Sequence, residues 1–142
     1  MNIGEAARAS GVSAKMIRYY EATGLLAAVE RTLGNYRTYA PADIHTLRFI
    51  RRARDLGFDM ASIARLLALW RDERRSSAEV KHIAEGHIAA LRERIGQMQA
   101  MLRTLEHLCQ HCHGDTRPDC PILDDLAAPD HATSHATPRA AR

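Results

Sequence analysis

Apolar positions up to Cys109 fall into five helical stretches, punctuated by glycine, proline and short polar runs. Ile3, Ala6, Ala7 and Val12 outline a short helix after Asn2, a good N-cap residue, and Gly11 breaks it. Ser13 is the next N-cap candidate, and Ile17, Tyr20 and Glu21 continue a helical face until Thr23-Gly24 stops it. Two short helices joined by a tight glycine-containing turn predict a helix-turn-helix. Many such pairs bind no nucleic acid, so this pattern alone gives an architecture. Residues 27–39 change character. Gly34-Asn35 is a turn signal between 29–32 and 36–39, whose Tyr and Thr content favours strands. A hairpin directly after a helix-turn-helix is a wing, of the kind that lies on a phosphate backbone. Pro41 then suits a first helical turn, and Ile44, Leu47, Ile50 and Ala53 carry that helix to Leu56-Gly57. After Asp59, Ile63, Leu66, Leu67 and Trp70 form one more amphipathic helix.

From about residue 78 the period changes. Ala84, Ile88, Leu91, Ile95, Met98, Leu102, Leu105 and Cys109 alternate steps of 4 and 3, the seam of a coiled coil with polar residues between its members. A helix of about 30 residues extends about 45 Å at 1.5 Å per residue. So narrow an apolar stripe on so long a helix points to a second chain as its cover, and a homodimer is expected. A helix folded back on its own domain is the alternative. Gly86 and Gly96 each weaken the helix by about 1 kcal/mol relative to alanine, and neither occupies the seam.

Composition agrees with a mainly helical chain. Of 142 residues 46% are apolar but only 5% aromatic, thin for an all-β core. Neither a basic-then-apolar leader nor a long apolar run is present, so a cytoplasmic protein without a membrane span is expected. In a reducing compartment the three cysteines read as thiols or metal ligands. The net charge of +3 hides an asymmetry: residues 1–75 carry 13 Lys/Arg against 8 Asp/Glu, and residues 76–142 carry 7 against 9. A basic front suits a polyanion-binding head, although ordinary solvated surface has the same look. The expected domains are a winged helix-turn-helix at 1–75, a dimerisation helix at 76–110, a metal-binding loop and short helix at 111–127, and a disordered tail at 128–142. His131 and His135 in that tail read as solvated side chains.

The segments IRYYEATGLL, NYRTY and RARDLGF resemble the DNA-binding half of mercury-resistance-regulator (MerR) type transcription regulators over about the first 70 residues. That resemblance implies a winged helix-turn-helix binding a pseudo-palindromic operator as a dimer. The operator lies within an overlong promoter spacer, and the activated protein distorts the DNA for RNA polymerase. The residues suit such a role. Lys15 and Arg18 lie one turn apart on the second helix, away from Ile17, where they reach the major groove or its flanking phosphates. Tyr20, Arg31, Tyr36 and Arg37 supply donors for phosphate oxygens, and Arg54, after Arg48, Arg51 and Arg52, is a further backbone contact. Tyr19 reads as a core or stacking residue.

Cys112 and Cys120 flank HGDTRPD directly after the coiled coil. The spacing is a weak signal, since zinc sites usually show Cys-x2-Cys pairs and four ligands. Two soft thiolates suit a monovalent d10 ion, Cu(I), Ag(I) or Au(I), which needs no further donors. Pro121 can start a short helix, PILDDL, whose N-terminal amides would face the sulfurs and offset their net negative charge. HCHGDTRPDCPIL resembles the metal loop of the family's copper-efflux regulators. The resemblance implies Cys112 and Cys120 as ligands, with Ser77 and His113 close by. Divalent-ion members carry a cysteine where this chain has Ser77, and in the family's antiparallel dimer that position approaches the loop of the other chain. His111, His113 and Cys109 could join a larger set and admit zinc, so a divalent-ion regulator is the alternative reading. Cys109 also fits the seam as a small apolar residue. Copper, silver and gold are not separated by these residues. No carboxylate–histidine constellation with catalytic spacing is visible and Cys112 lacks an identifiable base, which argues against an enzyme. A metallochaperone and a drug-responsive regulator are weaker alternatives, the latter because no substantial effector domain follows the coiled coil.

Overall fold

The computed structural model describes residues 1–116 and 118–129. Helices α1 (Ile3–Ser10) and α2 (Ala14–Ala22) are followed by a hairpin, β1 (Glu30–Arg31) and β2 (Arg37–Thr38). Then come α3 (Pro41–Asp55), α4 (Met60–Arg71), α5 (Ser77–Gln110) and α6 (Pro121–Ala127). The expected mainly helical class with a winged helix-turn-helix head is what forms. The tail beyond residue 129, with His131 and His135, lies outside the described residues.

Local chemistry sets these boundaries. Asn2 Oδ1 accepts from the Glu5 N–H at 2.9 Å and Glu5 Oε2 accepts from the Asn2 N–H at 2.8 Å, a capping box that starts α1. Gly11 ends it at φ +76°, donating its N–H to the Ala7 carbonyl. Ser13 Oγ then accepts from the Met16 N–H and opens α2. Pro41 takes the first turn of α3, and Asp59 Oδ1 caps α4 through the Ser62 N–H at 2.8 Å. Ala6, Ile17, Tyr20, Leu26, Tyr39, Leu47, Ile50, Ile63 and Leu67 interlock as the core of the head. Cutting a fully buried residue such as Leu47 to alanine costs about 2–5 kcal/mol.

The hairpin is shorter than the residue types predict, because the next hydrogen-bonded pair would need Ala40, whose N–H donates to Asp43 Oδ2 at 2.8 Å and whose carbonyl accepts from the Ile44 N–H at 3.2 Å at the start of α3. The ladder pairs Glu30 with Thr38 and Arg31 with Arg37. The outward-facing Val29 N–H donates to Glu21 Oε2 at 3.3 Å and the outward-facing Tyr39 N–H to the Met1 carbonyl at 2.7 Å, which tie the hairpin to the rest of the head. At the tip, Thr32 N–H donates to the Tyr36 carbonyl and Asn35 N–H to the Thr32 carbonyl, with Asn35 at φ +65°. This is a three-residue hairpin loop whose last member takes the left-handed conformation.

The chain divides into two compact units, Met1–His87 and the residues from Ile88 onward. The first unit takes in the opening turns of α5. Ile83 is buried there, and the His87 ring stacks on Phe58 with centroids 4.3 Å apart while its Nε2 lies 2.7 Å from the Leu56 carbonyl oxygen. In the second unit the expected seam faces outward: Ile95 is 54% and Leu105 52% exposed in the single chain, and Met98, Leu102 and Cys109 are exposed beside them. Leu108 is buried. Among the described residues no helix is long and apolar enough to cross a membrane.

Candidate nucleic-acid interface and metal loop

On α2, burial of Ile17 and Tyr20 on one side turns Lys15 and Arg18 to the exposed side, as the spacing predicts. Tyr19 is half out of the fold and meets the Tyr20 ring edge-on at 5.9 Å. Tyr20 itself departs from the expectation of an open phosphate donor. It is 2% exposed, its ring belongs to the core, and its hydroxyl accepts from Arg54 Nη1 at 2.8 Å. Because that hydroxyl accepts from Arg54, its own proton remains available to an acceptor. Tyr20, Arg51 and Arg54 line an open cleft of about 350 Å³ together with Gly11 and Ser13 of the helix-turn-helix. Arg51 lies over Gly11 so closely that a Cβ there would collide with its guanidinium. Arg48, from the same basic run, is used internally: its Nη2 and Nε donate to the Ala9 carbonyl at 2.9 and 3.1 Å, closing the last turn of α1.

On the wing, Tyr36 is 74% exposed and Arg31 is exposed, donating to the Asn35 carbonyl at 3.1 Å. Arg37 is the second departure. It is half-buried, and its Nε donates to Glu21 Oε1 at 2.8 Å, so part of the guanidinium is committed inside the protein. Burial pushes the Glu21 carboxyl up. The hydrogen bonds from Arg37 and the Val29 N–H, with the charges of Arg37 and Arg31, outweigh that and hold its pKa below the ordinary carboxylate value. Sequence reasoning treated Glu21 only as part of a helical face. The signal was an acid on an otherwise basic helix, followed by the arginines of the hairpin. Tyr39 is also buried against this region. Its hydroxyl has no hydrogen-bond partner among the described residues, and burial, with the Glu21 charge, pushes its pKa up.

At the other end of the chain, Cys112 and Cys120 are half-buried free thiols and Cys109 is an exposed one. Cys112 follows the end of α5, its N–H donating to the Cys109 carbonyl at 3.1 Å. Cys120 is the residue before α6, and its carbonyl accepts from the Asp124 N–H at 3.0 Å. One short loop, turning through Gly114 at φ +66°, therefore carries both sulfurs. As a donor set, two half-buried thiols fit a soft ion. His113 is exposed in the loop, and Ser77 is the exposed first residue of α5, in the other unit. Among the described residues no group of three or more His, Cys, Asp or Glu side chains stands ready to hold a metal ion.

Residues 1–70 match the family described as MerR HTH family regulatory protein, and residues 44–108 the one described as MerR, DNA binding. The chain is 60% identical over 127 residues to heavy metal-dependent transcription regulator 2 of Rhizobium meliloti (strain 1021), covering 89% of this chain and 86% of that one. It is 37% identical over 127 residues to the transcriptional regulator CueR of Salmonella typhimurium (strain LT2), with 89% and 92% covered. Its fold matches the crystal structure of the transcription regulator PbrR691 from Ralstonia metallidurans CH34 in complex with lead(II). The TM-score is 0.78 and the identity 33%, over 89% of this chain and 99% of that one. A helix-turn-helix, a wing and one long helix in this order, with relatives of this similarity over nearly their whole length, mean that the chain belongs to the MerR family of transcription regulators.

Proposed function

We propose that this regulator is a sensor of soft monovalent ions, Cu(I) first and Ag(I) or Au(I) by the same chemistry, held between Cys112 and Cys120. As a homodimer it binds double-stranded promoter DNA and activates copper-efflux and tolerance genes for RNA polymerase by distorting the promoter. The observation that carries this reading is the pair of half-buried thiols on one short loop between α5 and α6. Thiolates are the donors that favour Cu(I), and two of them satisfy a d10 ion of single charge. The likeness to CueR and to a regulator named as heavy metal-dependent supports it.

The head supplies the DNA contacts. Lys15 and Arg18 enter from α2, Arg31, Tyr36 and the outer part of Arg37 from the wing, and Arg54 from α3 with Tyr20 behind it. These are mostly phosphate donors, so they set affinity and register more than sequence choice. Drawing two sulfurs together fixes the 112–120 loop and the start of α6. Control is then a population shift between two DNA-bound arrangements, and both keep the operator occupied. The reading places the protein in the cytoplasm and needs no catalytic chemistry.

A divalent ion is the second reading, favoured by one observation: the structural neighbour PbrR691 was crystallised with lead(II). Ser77 argues the other way, because a serine offers neither the charge nor the soft sulfur that a divalent ion would draw from that position. Anaerobic titration with Cu(I), Ag(I), Au(I) and Zn(II), read out by transcription from the cognate promoter, separates the two. Induction by the monovalent ions at lower free concentration than zinc is expected; a response to zinc alone overturns the assignment.

A further inference from the structure

The end of α5 carries two imidazoles beside the Cys112–Cys120 pair, one in its last turn and one just past it. His107 is in the last turn of α5, and His111, the residue after Gln110, continues the turn by donating its N–H to the Leu108 carbonyl at 3.2 Å. Their ring centroids are 4.3 Å apart and the planes are tilted by 47°. His111 Nδ1 lies 2.8 Å from the His107 carbonyl oxygen. A carbonyl oxygen only accepts, so Nδ1 carries the proton, and Nε2 of the neutral ring presents its lone pair. Metal-ligating histidines are held in this way, with one ring nitrogen donating to a carbonyl and the other turned toward the ion. Both side chains are exposed, so an ion reaches them from solvent.

From this geometry we propose that His107 and His111 form a second ion site, a bis-imidazole chelate for a borderline divalent ion such as Zn(II), Ni(II) or Cu(II), completed by water. Histidines at i and i+4 are a spacing that helices use to hold zinc. Neutral imidazoles suit this class of ion, whereas Mg(II) and Ca(II) prefer oxygen donors. Cu(I) prefers the softer sulfurs. The end of α5 and the loop after it thus sort ions by softness, with thiolates for the monovalent ion and imidazoles for the divalent one. The imidazole site stands whether or not Cys112 and Cys120 bind copper.

The test uses the full-length protein with Cys109, Cys112 and Cys120 all replaced by serine, checked for unchanged helix content by circular dichroism. Zn(II) alone is titrated by calorimetry, with ring nitrogen signals of the histidines followed by NMR. One site per chain is expected, with direct-coordination shifts at His107 and His111, weakened about tenfold or more by His107→Gln or by His111→Gln alone. No zinc binding, equal binding in both variants, or coordination shifts confined to His113, His131 or His135 overturns the proposal. Should the triple variant lose helix content, the same two substitutions are made in the wild-type chain. There the coordination shift of the imidazole nitrogens is read directly, a signal that thiolate ligation does not give.

Discussion

Arg37 Nε and Glu21 Oε1 meet at 2.8 Å, and the other oxygen of the same carboxylate accepts the Val29 N–H at 3.3 Å. One side chain of α2 thereby holds both arms of the wing. Glu21→Ala is expected to release them: hydrogen exchange at Val29 accelerates, and operator affinity falls although a negative charge has been removed from the proposed DNA-binding surface. Unchanged exchange and tighter binding would mean that Glu21 acts only as a repelling charge. The pH dependence has a defined sign. A carboxyl whose folded pKa lies below its ordinary value of 4.5 contributes stability that is present at neutral pH. That contribution is lost as pH falls below 4.5 and through the lower folded value. Acid unfolding of Glu21→Gln should lack this component.

Arg54 donates to a buried tyrosine and still lies exposed on α3. Arg54→Ala is expected to weaken binding to operator and non-operator DNA alike, and to reduce the log–log salt slope by about 0.9 for one lost phosphate contact. Fluorescence anisotropy across a salt series measures this. Tyr20→Phe should keep the fold, since the ring fills the core, and lose part of the same affinity. Loss confined to the operator sequence would instead make Arg54 a base reader.

Gly11 combines a left-handed backbone with a guanidinium over its α-carbon. Gly11→Ala therefore meets two costs, about 1–2 kcal/mol for the conformation and a displacement of Arg51. Urea unfolding should show a lower midpoint with an unchanged slope. A variant as stable as the parent would show that the α1–α2 turn relaxes freely.

The apolar edge of α5 predicts its own assay. Ile95→Asp or Leu102→Asp puts a charge into a seam that needs a second chain to cover it. Sedimentation should show a monomer where the parent is a dimer, with operator binding weakened in step. A variant that remains dimeric would place the association surface elsewhere.

Cys112→Ser and Cys120→Ser, made separately, should each abolish induction by Cu(I) in a promoter assay and leave gel-shift affinity for the operator intact. Copper induction that survives either substitution removes the two-thiolate arrangement.

The helices were legible because their boundaries are written in adjacent residues. Asn2, Ser13, Pro41 and Asp59 each start a helix through a contact within three positions or through a fixed φ, and Gly11 stops one. The short wing was not, because the backbone of Ala40 that would have lengthened it is committed, in the folded chain, to the start of α3. Tyr20 and Arg37 looked like open donors for the same reason: burial and ion pairing belong to the folded arrangement, and residue type alone leaves them out. The spacing of Cys112 and Cys120 was visible at once, but spacing carries softness and count, and ion identity needs more than that. His107 was hidden by the seam running past it, since a heptad reading discards which polar group is which, and His111 was weighed only with Cys109, Cys112 and His113.

A stripe of isoleucine, methionine and leucine left facing water ties the fate of each newly made chain to how many copies surround it. At low copy number the long helix lacks its cover and is open to proteases and chaperones; at higher copy number it is shielded. The cell's stock of regulator thus acquires a floor, below which molecules are cleared before they occupy a promoter, and the threshold is set by the affinity of one polypeptide for its own kind.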